Sequence, residues 1–103
     1  MADSPLKIVE GSALTAQQKK DLLNRLARIE GQLRGVQKLI ALAAEPADVD
    51  AVAQQMAAAR KALDRSFVQL LSGAIQTQAG NAGDLDEAQA RVAHLAAMLD
   101  KFA

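Results

Sequence analysis

The chain has 103 residues, half of them apolar, with two phenylalanines and neither tryptophan nor tyrosine. One domain of that length must draw its core from Leu, Val, Ile, Met and Ala, a composition of closely approaching helices rather than of a sheet. Twelve basic and twelve acidic residues cancel and no cysteine is present, so bulk charge points to no nucleic-acid or membrane partner, and disulfides, thiolate metal sites and thiol-based sensing are excluded.

The first eleven residues, MADSPLKIVEG, lack the apolar stretch of an export signal. Nor does any uninterrupted apolar run approach the ~18 residues of a membrane span. The cytoplasm is the expected location, with no membrane partner. Residues 1–14, with Pro5, Gly11 and little periodicity, read as a flexible arm ahead of a single helical domain over 15–103.

Thr15 opens the run T-A-Q-Q, in which a hydroxyl and the Gln18 amide can satisfy each other's backbone N–H groups as a capping box. Leu22, Leu26, Ile29, Leu33, Val36 and Ile40 follow at spacings of four and three, which predicts one apolar stripe on a helix running to about Ala44. Pro46 removes a backbone donor and disfavours helix at Glu45, and Asp48 then reads as the N-cap of a second helix starting near Val49. Its stripe is Val49, Val52, Met56, Ala59, Leu63, Phe67, Leu70 and Ala74, unbroken to about Gln78. The turn signal AGNAG covers residues 79–83, and Asp84 with Glu87 forms a second capping box for a shorter helix whose stripe is Leu85, Ala88, Val92, Leu95, Leu99 and Phe102.

The predicted fold is therefore all-α: a three-helix protomer made of a long α-hairpin and a short C-terminal helix. A hairpin and one short helix bury only part of their apolar stripes, so the protomer is expected to dimerise into an antiparallel four-helix bundle and to pair again as a dimer of dimers.

Charge is not evenly spread. Seven of the twelve Lys and Arg residues lie in the first forty, against four acids. On a wheel of about 100° per residue, Arg25, Arg28 and Gln32 lie on one shoulder of the first stripe and Lys20, Arg34 and Lys38 on the other. Gly31 and Gly35 lie opposite the stripe, and each costs about 1 kcal/mol against alanine inside a helix. A smooth strip between cationic shoulders suits close approach by a phosphate backbone or another helix, and the second helix adds Arg60, Lys61 and Arg65. The ordinary reading of such residues is a solvated flank. No stacking aromatic and no short recognition helix accompanies them, so nucleic-acid binding would have to use a flat basic bundle face.

His94 is the only histidine and cannot build a metal shell alone; Asp48 and Asp50 are its conjectural partners, and a surface or structural role is favoured. No zinc-protease motif, phosphate-binding loop or serine–histidine–acid set occurs, so no catalytic residue and no cofactor are expected.

The run LLNRLARIEGQLRGVQKLI, residues 22–40, resembles the first-helix signature of the CsoR/RcnR family of metal-sensitive transcriptional repressors, and the similarity continues into QMAAARKALDRS, residues 55–66. The resemblance covers about residues 15–100. It implies an all-helical homodimer, assembling into a flat homotetramer, that binds operator DNA without a helix-turn-helix and releases it when an effector binds. By resemblance the DNA-contacting arginine of helix one falls on Arg25 and the basic position late in the helix-two motif on Arg65; Arg28 and Arg34 match further basic positions, and Arg60 joins them as a candidate.

The same alignment carries the family's sensing positions onto Val49, Ala74 and Gln78, none of which can act as a thiolate or imidazole ligand. A glutamate that couples sensor to DNA in the family is replaced by His94. The implied function is a DNA-binding repressor with a lost or altered metal or thiol sensing site. Two other readings compete. One is a helical oligomerisation module that binds no DNA. The other is a small all-α enzyme of chorismate-mutase type, which would turn Arg25, Arg28 and Arg60 into an interior pocket.

Overall fold

The computed structural model describes residues 6–102 and holds, among them, three α-helices and no strand: α1 over Ala16–Leu42, α2 over Asp48–Gly80 and α3 over Leu85–Phe102. This is the all-α, three-helix protomer read from the sequence. Residues 1–5 of the predicted arm lie outside the described residues, and residues 6–14 carry no helix.

The predicted box at the start of α1 forms in full. Gln18 N donates to Thr15 Oγ1 at 3.0 Å and Thr15 N donates to Gln18 Oε1 at 2.8 Å, so two backbone donors that the helix leaves unpaired are satisfied by each other's side chains.

Asp48 behaves differently from the N-cap expected. Its carboxylate reaches back and accepts from the backbone amides of Ala44 and Glu45, both at 2.9 Å. The first turn of α2 does not need that oxygen, because Asp48 N, Val49 N and Asp50 N donate to the carbonyls of Glu45, Pro46 and Ala47 at 2.9, 3.2 and 3.1 Å. A tight turn of i to i−3 bonds thus feeds α2, and the Asp48 side chain ties the end of α1 to it. The two amide bonds hold the Asp48 carboxyl below its ordinary value.

At the other end of α2, Asn81 donates to the Thr77 carbonyl from both its main chain at 3.1 Å and its side chain at 2.7 Å. The box before α3 is displaced by one residue: Glu87 N donates to Asp84 Oδ1 at 2.7 Å, but the Glu87 carboxylate accepts from Gly83 N at 2.8 Å.

The chain divides into two compact units. The first is Leu22–Gln69, most of α1 and the larger part of α2. Its buried residues are Ile29 and Val36 on α1 with Ala59 and Ser66 on α2. Ser66 disposes of its hydroxyl by donating to the Ala62 carbonyl one turn back at 3.1 Å, so a polar residue sits in the seam with its proton satisfied. Gln69 Oε1 is buried without a hydrogen-bond partner among the described residues.

The second unit joins the segment through Asp21 with the chain from Leu70 onward. Leu71, Ala74 and Leu95 are its buried apolar residues. Gln18 does more here than cap: its Oε1 also accepts from the buried Thr77 hydroxyl at 2.7 Å, and its Nε2 donates to the Gly73 carbonyl at 3.3 Å. A Cβ at Gly73 would stand 3.4 Å from both the Gln18 amide and the Leu14 side chain, so glycine lets those two groups lie against the helix backbone. Lys19 donates to the Val9 carbonyl and Gln78 to that of Ala13.

Gln18→Ala removes one amide that serves the start of α1, the Thr77 hydroxyl and the Gly73 carbonyl together, and is expected to cost about 2 kcal/mol in urea denaturation. Thr77→Val leaves the box intact and should cost about 1 kcal/mol; equal and negligible losses in both would sink the bridging role. For Asp48 the folded-state value is depressed, so its contribution is present at neutral pH and fades as pH falls through the carboxylate range. Asp48→Ala should therefore lower the Tm at neutral pH, with the gap to wild type closing on acidification; a gap unchanged down to about pH 2 would contradict this.

Candidate nucleic-acid interface

All five candidate arginines, Arg25, Arg28, Arg34, Arg60 and Arg65, lie in the Leu22–Gln69 unit. Four are exposed, and Arg25 is half-buried. The difference follows from helical period, since Arg25 stands about 40° from Ile29 on the α1 wheel and shares the edge of its buried face.

The buried residues mark the seam between the two helices, which the loop 43–47 joins as an antiparallel pair. Rotating about 100° per residue away from that seam sorts the rest of the unit into two sides. One side carries Leu33, Ile40, Val49, Met56 and Leu63, all exposed; Leu33 and Leu63 are 47% and 51% accessible. Two of the six stripe residues of α1 and four of the eight of α2 are thus exposed in the protomer. The other side carries Arg25 and Arg28 from α1 and Arg65 from α2, with Gly35 beside them. Arg34 lies on the back of α1, nearly opposite the seam, and Arg60 on the outer edge of the apolar side.

The sequence candidates are therefore not one set. Three share a side, and two do not. Arg60 lines a shallow depression of about 440 Å³ with Lys61, Asp64, Ala57 and Ala58, which includes neither Arg25 nor Arg28. Arg28 and Arg60 are both exposed in the protomer.

Gly31 and Gly35 are exposed, and a Cβ built at either would meet nothing within 4 Å. Neither is needed for packing inside the protomer. The strip is open backbone beside Arg28, as the wheel predicted.

The resemblance pairs the family's sensing positions with Val49, Ala74 and Gln78. Val49 is exposed on the first turn of α2, and Ala74 is buried. Gln78 spends both ends of its amide, with Oε1 accepting from Arg91 Nε at 2.8 Å and Nε2 donating to the Ala13 carbonyl at 3.4 Å. His94 is exposed on α3. Among the described residues no group of three or more His, Cys, Asp or Glu could hold a metal ion, so the metal that the resemblance implies finds no donor set here. No helix among them is long and apolar enough to cross a membrane.

Sequence reasoning missed the Gln18 to Thr77 bridge and the Gln78 to Arg91 bond. Only the capping motif flagged Gln18, and nothing in the spacing of α2 and α3 marks the second pair.

Residues 18–101 match the model of the metal-sensitive transcriptional repressor family, and the chain belongs to that family. No curated protein and no solved structure gives a significant match.

Since nothing in the protomer occupies the space at Gly31 and Gly35, alanine at each should raise stability by up to about 1 kcal/mol through helix propensity. A lowered denaturation midpoint in both variants would show that the strip is already filled by packing.

Proposed function

We propose that this metal-sensitive-repressor family member represses transcription by laying the Arg25, Arg28 and Arg65 side of its hairpin against operator DNA, without metal or thiol control through the family's sensing positions. The observation that carries the reading is the division of the Leu22–Gln69 unit into an apolar side and a basic side. The basic side presents guanidinium groups from two helices next to a backbone strip bare of side chains, an arrangement suited to phosphates and groove edges. A net charge of zero is no obstacle, because binding follows the local concentration of cations that displace counterions.

The apolar side supports self-association. Leu33, Ile40, Met56 and Leu63 are exposed in the protomer, and a second copy of the same hairpin would cover them as a four-helix bundle, with the basic sides turned outward. Pairing of such dimers would place several arginine sets along one duplex. Operator DNA and further copies of this chain are then its partners, in the cytoplasm.

Loss of the family's sensor fits the same residues. Valine and alanine at two positions, and at the third an amide engaged by Arg91 and Ala13, offer no thiolate or imidazole to a soft metal and no nucleophile for covalent sensing.

Gel shifts with DNA from upstream of the protein's own gene, repeated over a range of salt, test the surface. Arg25→Ala and Arg65→Ala should each weaken binding and reduce the slope of log K against log salt by about 1 per lost phosphate contact. Arg34→Ala should leave the slope closer to wild type. Unchanged affinity in the first two variants overturns the surface, and a wild-type protein that assembles but binds no DNA is an oligomerisation module instead.

A further inference from the structure

A solvent-open cavity of about 320 Å³ lies in the second compact unit and is lined by Ser12, Ala13, Gln78, Asn81, Glu87 and Arg91. That volume is at the lower end of the range for small-molecule pockets. Its lining is polar, with one guanidinium and one carboxylate among six residues.

Counting donors and acceptors shows which of these groups are already used. Gln78 is engaged at both ends by Arg91 and the Ala13 carbonyl, and the Asn81 amide nitrogen donates to the Thr77 carbonyl at 2.7 Å. Arg91 uses only Nε, and Glu87 only Oε2, which takes the Gly83 amide at 2.8 Å. Among the described residues this leaves two sets without partners. One is a set of donors, the two terminal amino groups of Arg91 with the Ser12 hydroxyl. The other is a set of acceptors, Glu87 Oε1 with Asn81 Oδ1.

We propose that this cavity binds a small zwitterion of the α-amino-acid type, its carboxylate on Arg91 and Ser12 and its ammonium on Glu87 and Asn81. A guanidinium held at Nε keeps its outer edge free for bidentate contact with a carboxylate. A simple anion would meet the Glu87 charge and a simple cation the Arg91 charge, whereas a ligand carrying both signs is matched by both. Gln78 then positions Arg91 and does not touch the ligand. The inference is independent of DNA binding.

The test is a heteronuclear NMR titration of the full chain with L-alanine, L-serine, L-glutamine and L-leucine, against acetate and methylammonium as single-charge controls. At least one amino acid should give saturable shifts at the amides of Gln78, Asn81, Glu87 and Arg91, with at least tenfold weaker effects from the controls. Arg91→Gln and Glu87→Gln should each weaken that binding at least tenfold. Glu87→Gln keeps an oxygen for the Gly83 amide, so it decides the matter even if the Arg91 variant loses its dispersed spectrum. Absence of saturable shifts with all four amino acids, equal binding of acetate, or undiminished affinity in Glu87→Gln overturns the proposal.

Discussion

Which surface a side chain reaches in this protein is decided by a narrow seam. In the Leu22–Gln69 unit, α1 and α2 meet through Ile29, Val36, Ala59 and Ser66, two of them small enough to bring the backbones close. Helical period does the rest, because once those four residues face inward the direction of every other residue on both helices is set. Arg25, Arg28 and Arg65 fall on one side, the large apolar residues on the other. Ser66 can occupy the seam only because its hydroxyl bonds to its own helix at Ala62; an unpaired hydroxyl there would oppose the packing.

The second unit is organised by hydrogen bonds as much as by burial. Its buried apolar residues are only Leu71, Ala74 and Leu95, and a single amide, Gln18, links the start of α1 to Gly73 and Thr77. Gln78 repeats the device toward Ala13 and Arg91. An amide with one donor end and one acceptor end can serve two elements at once, which suits a unit with few large side chains. The same two bonds tie Gln78 to the segment before α1 and to α3.

Family membership and these residues together separate what is shared from what is altered. The family match runs over residues 18–101 and takes in nearly the whole of the three helices. Val49 and Ala74 offer only hydrocarbon, and the Gln78 amide is engaged by Arg91 and Ala13.

Composition, stripes and capping residues determined much of this protein without coordinates: three helices, their order, their ends within a few residues, the full box at Thr15 and Gln18, and the open strip at Gly31 and Gly35. All of these are local, because a helix and its caps are settled by residues within one turn of each other. Only the tertiary structure decided which residues of each apolar stripe are buried, that Arg25 stands half-buried apart from Arg34 and Arg60, that Asp48 turns back to the end of α1, and that Gln18 and Gln78 bind across elements. Those outcomes join residues up to 65 positions apart, and a pattern read along one chain carries no information about which neighbour fills the space across a seam.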